Sequence, residues 1–210
     1  MTIKSLKPNT PAQRGTVLID RKDIWKGKPF KSLVKGRSST AGRNNQGKIT
    51  SRRMGSGVKR NYRIIDFKRN KFNVNGNVQR IEYDPYRSAF IALIKYEDND
   101  YRYIIAPQKL KINDNIISSE KAEIKTGNCL PLKSIPLGTM IHNVELKPGK
   151  GAQIARSAGS SVSLLAIDGG NAIIKLNSGE IKNVNENCFA TVGTVSNLDN
   201  KNIKILINIL

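Results

Sequence analysis

The sequence predicts an all-β protein: two small barrels in tandem behind a long, basic, irregular N-terminal extension. Three observations carry this expectation. From Tyr62 onward, short runs rich in Ile, Val, Tyr and Phe are separated by turn residues. No segment keeps a 3.6-residue apolar period long enough for a substantial helix, and no internal repeat is present. Charge is unevenly divided, with 21 basic and 3 acidic side chains in residues 1–80, net +18, against net +2 in residues 81–210. With 210 residues, 38% of them hydrophobic, the chain can bury a core of ordinary size.

Residues 1–59 form the extension. They are poor in apolar side chains and show no regular period, so their own burial cannot offset a backbone ordering cost of about 1–2 kcal/mol per residue. The segment is therefore expected to order only on a partner, with Trp25 and Phe30 anchoring it to a neighbour. Gly42–Lys71 concentrates Arg43, Lys48, Arg52, Arg53, Lys59, Arg60, Arg63, Lys68, Arg69 and Lys71 against one acid, Asp66. So many like charges cannot be buried unpaired, and they call for a polyanion. The cation- and hydroxyl-rich start also fits an organellar transit peptide, a reading that a nucleic-acid-binding arm shares.

Residues 60–125 read as a first barrel. Strands are expected at Tyr62–Phe67, Val78–Tyr83, Ala89–Tyr96, Tyr101–Ala106 and Asn113–Ile117, with turns at Asp84-Pro85 and Asp98-Asn99-Asp100. Five short strands at this spacing suggest a small closed barrel, of which the OB-fold is the nucleic-acid-binding example. By alternation Tyr62, Tyr83, Phe90 and Tyr96 face its core. Residues 126–200 read as a second barrel, with strands at Met140–Glu145, Ser161–Ile167, Ala172–Leu176, Ile181–Val184 and Ala190–Val195. Asp168-Gly169-Gly170 and Asn177-Ser178-Gly179 supply its hairpin turns. Residues 201–210 are a C-terminal tail.

Several chemistries are excluded or set aside. No apolar run is long enough to span a bilayer, and the basic segment lacks the amphipathic stripe of a membrane-surface helix. Cys129 and Cys188 are isolated and His142 is the sole histidine, which leaves no expected metal site and no catalytic triad. Gly42–Lys48, GRNNQGK, matches the glycine and lysine positions of a nucleotide-phosphate loop. It lacks the following hydroxyl and a preceding apolar strand, so no enzyme activity, cofactor or small-molecule substrate is expected. Lys147–Gly159, KPGKGAQIARSAG, places Lys147, Lys150 and Arg156 in a glycine-rich segment without an acid, with IARSA as a short helical turn, and this favours phosphate contact. Arg87 follows the Asp84-Pro85 turn and is either a further contact or a surface ion pair.

GRNNQGKIT (42–50), YRIIDFKRNK (62–71), RIEYDPYRSAFIALI (80–94) and IPLGTMIHNVELKPGKGAQIARSAG (135–159) resemble, in order and spacing, the bacterial-type large-subunit ribosomal protein two, the L-two family. The resemblance covers nearly the whole chain. It implies an N-terminal extension, an OB-fold domain and an SH3-like barrel bound to large-subunit rRNA near the peptidyl transferase region, among neighbouring ribosomal proteins. The arginines that the family associates with rRNA binding match Arg87 and Arg156. A free single-stranded nucleic-acid binder that uses exposed aromatics on the OB-fold face is the alternative.

The resemblance departs at the C-terminus, where KNIKILINIL stands in place of the family's basic, glycine- and histidine-rich extension. Any contribution of that extension is expected to be absent or supplied by a separate polypeptide, and His142 is not its histidine. The 22 Asn and 26 Ile residues suggest an AT-rich genome and, with the shortened form, a mitochondrial ribosome, with a plastid or a bacterial cytoplasm as alternatives.

Overall fold

The apolar run Ala89–Tyr96 has no alternation because its strand is covered on both faces, and the first barrel is assembled around it. In the computed structural model, which describes residues 3–37, 39–55 and 57–205, the strands in chain order are β1 (Ile3–Ser5), β2 (Val17–Ile19), β3 (Val34–Gly36), β4 (Asn61–Arg63), β5 (Gly76–Glu82), β6 (Ile91–Tyr96), β7 (Tyr101–Ile105) and β8 (Asn115–Ile116). They are followed by β9 (Cys129–Pro131), β10 (Met140–His142), β11 (Val144–Glu145), β12 (Ala152–Ile154), β13 (Val162–Asp168), β14 (Asn171–Leu176), β15 (Ile181–Asn185) and β16 (Phe189–Val192). The helical content of the described residues is short 3-10 turns. The last five residues of the expected tail, 206–210, lie outside the described residues.

An antiparallel sheet in the order β7-β6-β5-β8 forms the first barrel. On one face, Ala92, Ile94 and Tyr96 pack with Val78, Phe90, Ile104 and Ile116. On the other, Ile91 and Leu93 pack with Ile65, Tyr103, Ile105 and Val195. The β6–β7 turn places Asn99 at φ 59°, the left-handed conformation that Asn tolerates in a three-residue hairpin loop.

The extension is more ordered than its composition implies. Ile24 is buried in the first face of the β6 sheet, and Phe30 and Leu33 pack on the second. Phe30 stacks on Tyr101 with centroids 4.7 Å apart, and its amide donates to the Tyr103 hydroxyl at 2.8 Å. That hydroxyl in turn donates to the buried Glu82 carboxylate at 2.9 Å. β3 pairs with β4, and Trp25 N–H donates to Ile81 O. Ile24, Phe30 and Leu33 are thus spent on one neighbour, the barrel of the same chain, and a full burial such as that of Ile24 contributes about 1.5–3 kcal/mol, whereas Ile49, Met54 and Val58 stay exposed. Trp25 remains 49% exposed, so its neighbour Ile24 is the true anchor.

The second barrel is a six-stranded antiparallel sheet in the order β15-β14-β13-β10-β16-β9, with β11 and β12 as a separate pair. Leu130, Leu132, Ile141, Leu164, Ile174 and Ala190 are fully buried at its centre. Asp168 pairs with Asn171 across Gly169 (φ 52°) and Gly170 (φ 79°), the two positive dihedrals that a type I′ hairpin requires. The chain leaving β16 returns to the first barrel: Gln108 N–H donates to Thr194 O at 2.7 Å and Ser196 N–H to Ala106 O at 3.0 Å. It then meets the extension, where Val17 and Lys204 exchange backbone hydrogen bonds of 2.9 and 3.1 Å. The all-β architecture, an OB-fold barrel followed by an SH3-like barrel, is that of the sequence expectation.

Candidate nucleic-acid interface

The glycine-rich finger of the extension is closed on itself. Asn44 Oδ1 accepts the amides of Gln46 and Lys48 at 3.0 and 2.9 Å, and Gly42 O accepts those of Thr50 and Ser51. Gly42, at φ 72°, lies where a Cβ would overlap the Ser51 carbonyl oxygen. These amides are committed within the loop and do not form a phosphate cradle. Its side chains point outward instead: Arg43, Lys48, Arg52 and Arg53 are exposed, as are Lys59 and Arg60.

Past Arg60 the basic run divides. Lys68 is exposed and Arg63 half-buried. Arg69 departs from expectation, being only 6% exposed, with its guanidinium donating to Ser118 Oγ at 3.1 Å and to Gly127 O. It stitches β4's connection to the start of the second barrel and is not available to a phosphate. Lys71 is likewise engaged, by Asp98 and by Asp100 at 2.8 Å, while Arg102 bridges Asp66 at 2.8 Å and Asp100 at 3.1 Å. The hydrogen bond from Lys71 holds the carboxyls of Asp98 and Asp100 below the usual carboxylate range. Counting charges in a linear segment missed this, because both acids arrive from the distant β6–β7 hairpin.

A cleft at the joint of the two barrels collects the remaining charge. Arg37, Tyr62, Phe67, Tyr86, Arg87, Ser88, Arg156 and Ser157 line about 420 Å³ of it. The cations and rings form one continuous ladder. Arg37 lies 5.7 Å from the Tyr86 centroid, and Tyr86 meets Tyr62 edge-to-face at 5.5 Å. Arg87 lies 5.2 Å from Tyr62 and 5.7 Å from Phe67, with Arg156 on Phe67 at 4.9 Å. Arg87 and Arg156, 69 residues apart in sequence, therefore converge on one ring. Arg87 is pinned, with one nitrogen paired to the fully buried Asp84 and another donating to the Tyr62 hydroxyl at 3.1 Å. Replacing Arg87 would strand a buried carboxylate, so such a variant tests folding as well as binding. Arg37 was not singled out from sequence, since only tertiary packing brings the end of β3 beside Tyr86.

The KPGKG loop is shaped by an acid. Glu145, 2% exposed at the end of β11, accepts the amides of Gly149 at 3.1 Å, Gly151 at 2.8 Å and Phe189 at 3.1 Å. This turns Lys147 and Lys150 out to solvent and seats Gly151 against Phe67, whose carbonyl accepts Ala152 N–H at 2.9 Å. Arg156 follows β12 in a bend, not the helical turn expected. Ala155 before it has φ 53°, and its carbonyl accepts Asn143 N–H at 3.1 Å. A left-handed alanine costs about 1–2 kcal/mol. Ala155→Gly is expected to raise stability by up to about 1 kcal/mol in urea denaturation, the relief being offset by glycine's greater unfolded-state entropy.

The expected core aromatics also divide. Phe90 and Tyr96 are buried, Tyr62 borders the cleft, and Tyr83 is 39% exposed beneath Arg21, 3.9 Å from its centroid. The other exposed rings have partners too: Trp25 lies against Arg80 at 4.9 Å and Phe72 against Phe189 at 5.2 Å. Among the described residues no group of three or more His, Cys, Asp or Glu is placed to hold a metal, and no helix is long and apolar enough to cross a membrane. Cys129 and Cys188 are separate buried thiols, and burial pushes the latter up to about 11.

Two barrels with a cation–aromatic cleft at their joint and an exposed basic finger define a polyanion-binding protein of the nucleic-acid class. Comparison with known proteins gives the family. The model for the ribosomal proteins L2 RNA-binding N-terminal domain matches residues 30–118, and that for the ribosomal proteins L2 C-terminal domain matches 125–207. The large ribosomal subunit protein uL2 of Rickettsia bellii is 62% identical over 205 residues, covering 98% of this chain and 75% of the relative. That of Ruegeria pomeroyi is 59% identical over 202 residues, covering 96% and 72%. The chain belongs to the ribosomal protein L2 family.

Proposed function

We propose that this chain is a structural constituent of the large ribosomal subunit, without catalytic activity, that binds and stabilises large-subunit rRNA near the peptidyl transferase region and supports subunit assembly. The observation that carries the site is the convergence of Arg87 and Arg156 on Phe67 at the joint of the barrels, beside the exposed Lys147, Lys150 and Lys68. The finger cations Arg43, Lys48, Arg52 and Arg53, with Lys59, Arg60 and Arg63, extend the contact along the backbone. Each cation that meets a phosphate releases condensed counterions, which makes binding salt-dependent. The working division is an extension over 1–59, barrels over 60–125 and 126–200, and a tail over 201–210.

Neighbouring ribosomal proteins complete the partner set. The named relatives are longer single chains, and no observation supports a separate polypeptide supplying the difference. Their bacterial origin supports a bacterial-type large subunit. The Asn and Ile usage that suggests a mitochondrial matrix has no counterpart in these bacterial relatives' origin, which favours the bacterial alternative. Family membership and the partnered state of Trp25, Phe72 and Tyr83 weigh against a free single-stranded nucleic-acid binder.

Arg156→Gln is expected to weaken binding to deproteinised large-subunit rRNA about tenfold and to lower the slope of log affinity against log salt by about 1, with an unchanged melting temperature. Arg69→Gln is expected to do the reverse, lowering the melting temperature and leaving the slope alone. Filter binding across a salt series checks both, and an unchanged slope for Arg156→Gln would refute the site. Wild-type protein should cosediment with large subunits after a high-salt wash.

A further inference from the structure

The ladder in the cleft contains more than a phosphate contact needs. Positive charge alone would bind a continuous RNA duplex, whose bases are stacked and paired away from the protein. Three ring systems, Tyr62, Phe67 and Tyr86, interleaved with arginines offer apolar faces that only an unstacked base can use.

The rings are not equivalent. Both Arg87 and Arg156 lie over Phe67. Tyr62 is covered by Arg87, which Asp84 fixes in place. Tyr86 has one cation over it among the described residues, Arg37 at 5.7 Å, from an exposed side chain of the extension. Tyr86 is itself held in place, edge-to-face with Tyr62 and with its hydroxyl donating to Arg60 O at 3.3 Å. It also lines a second, larger cleft of about 990 Å³ with Arg37, Lys59 and Arg60, so the ring stands where two basic hollows meet. Among the described residues neither Arg37 nor Arg156 has an acidic partner.

We propose that this cleft takes a single unstacked nucleotide of the rRNA, with its base on Tyr86, Arg37 closing over it, and its phosphate between Arg37 and Arg156. The proposal rests on the rRNA-binding reading above and adds to it a nucleotide pocket and a third arginine. Arg37 lifts from the ring to admit the base, and its planar guanidinium stacks on the outer face. Arg87, held by Asp84 and Tyr62, is a positioning residue that sets the angle of Tyr62 and hence of Tyr86. The recognised RNA feature is then a bulge, loop or strand end.

The test uses the full chain and deproteinised large-subunit rRNA over a salt series. Tyr86→Leu is expected to lower affinity roughly 5- to 150-fold at every salt concentration, the range for loss of one stacked base, without changing the slope. Tyr86→Phe, which keeps the ring, is expected to restore most of that loss. Arg37→Gln, an exposed position, is expected to lower the slope by roughly 0.7 to 0.9. Ultraviolet crosslinking of the wild-type complex is expected to place a base adduct on Tyr86, a readout independent of any variant's folding. Affinity of Tyr86→Leu within twofold of wild type, an unchanged slope for Arg37→Gln, or adducts that avoid residues 84–88 would each overturn the pocket while rRNA binding itself persists. Wild-type protein that fails to bind the rRNA would overturn the broader reading instead.

Discussion

Glu145→Ala is expected to destabilise the second barrel by at least about 3 kcal/mol. The carboxylate is buried and accepts three backbone amides, from Gly149, Gly151 and Phe189, at 2.8–3.1 Å. Hydrogen bonds to a charged group are each worth about 1.5–3 kcal/mol, and a buried donor left without an acceptor costs about 1–3 kcal/mol. Part of that cost is recovered as the Lys147–Gly151 loop opens to water, which is why the lower bound is modest. The midpoint of thermal unfolding should fall by roughly 6 °C or more for a chain of this size. Glu145→Gln, which retains one acceptor oxygen, should lose less. Because this carboxylate directs Lys147 and Lys150 outward, the alanine variant should also lower the salt slope of rRNA binding. An alanine variant within 1 kcal/mol of wild type in urea denaturation would show that the loop holds its shape without the acid.

Stability is expected to fall as pH drops from about 6.5 to 4, through His142. Burial lowers this imidazole from 6.5 to about 4, while Nδ1 donates to Gly193 O at 2.7 Å and Nε2 has no partner among the described residues. The unfolded chain therefore binds a proton in this window that the folded chain refuses, and protonation favours unfolding. The full loss is roughly 3 kcal/mol, of which about 2 kcal/mol has gone by pH 5. The depressed carboxyls of Asp98 and Asp100 act in a lower window, their contribution being lost only as pH falls below 3.8. Urea midpoints measured at pH 7 and pH 5 check the prediction. A flat profile in wild type, or an equal slope in His142→Asn, would remove the histidine as the cause.

How far the chain could be read follows from the range of each interaction. Strands β5 to β7 and β13 to β15 were legible because their apolar runs and the turns between them are local chemistry, as with Gly169 and Gly170 in the type I′ hairpin. Very short strands such as β1, β2, β3, β9 and β12 were not. Three residues carry little pattern, and the partners of β3 and β9 lie far along the chain. The extension misled because a low count of apolar residues says how little can be buried, not where. Ile24, Phe30 and Leu33 are few, yet one barrel takes them all.

The candidate site shows the same division. Residue identities alone established a strongly basic N-terminal region that requires a polyanion, two β modules, and Arg87 and Arg156 as members of family motifs. Tertiary structure decided which cations are free. Arg69 is enclosed by Ser118 and Gly127, Lys71 is paired with acids 27 and 29 residues away, and Arg37, unmarked in the sequence, stands over Tyr86. Charge is a property of a residue type and can be counted along a chain. Its availability depends on partners that come into range only when distant segments fold together, because hydrogen bonds act only at contact and Coulombic terms are screened beyond about 10 Å in salt.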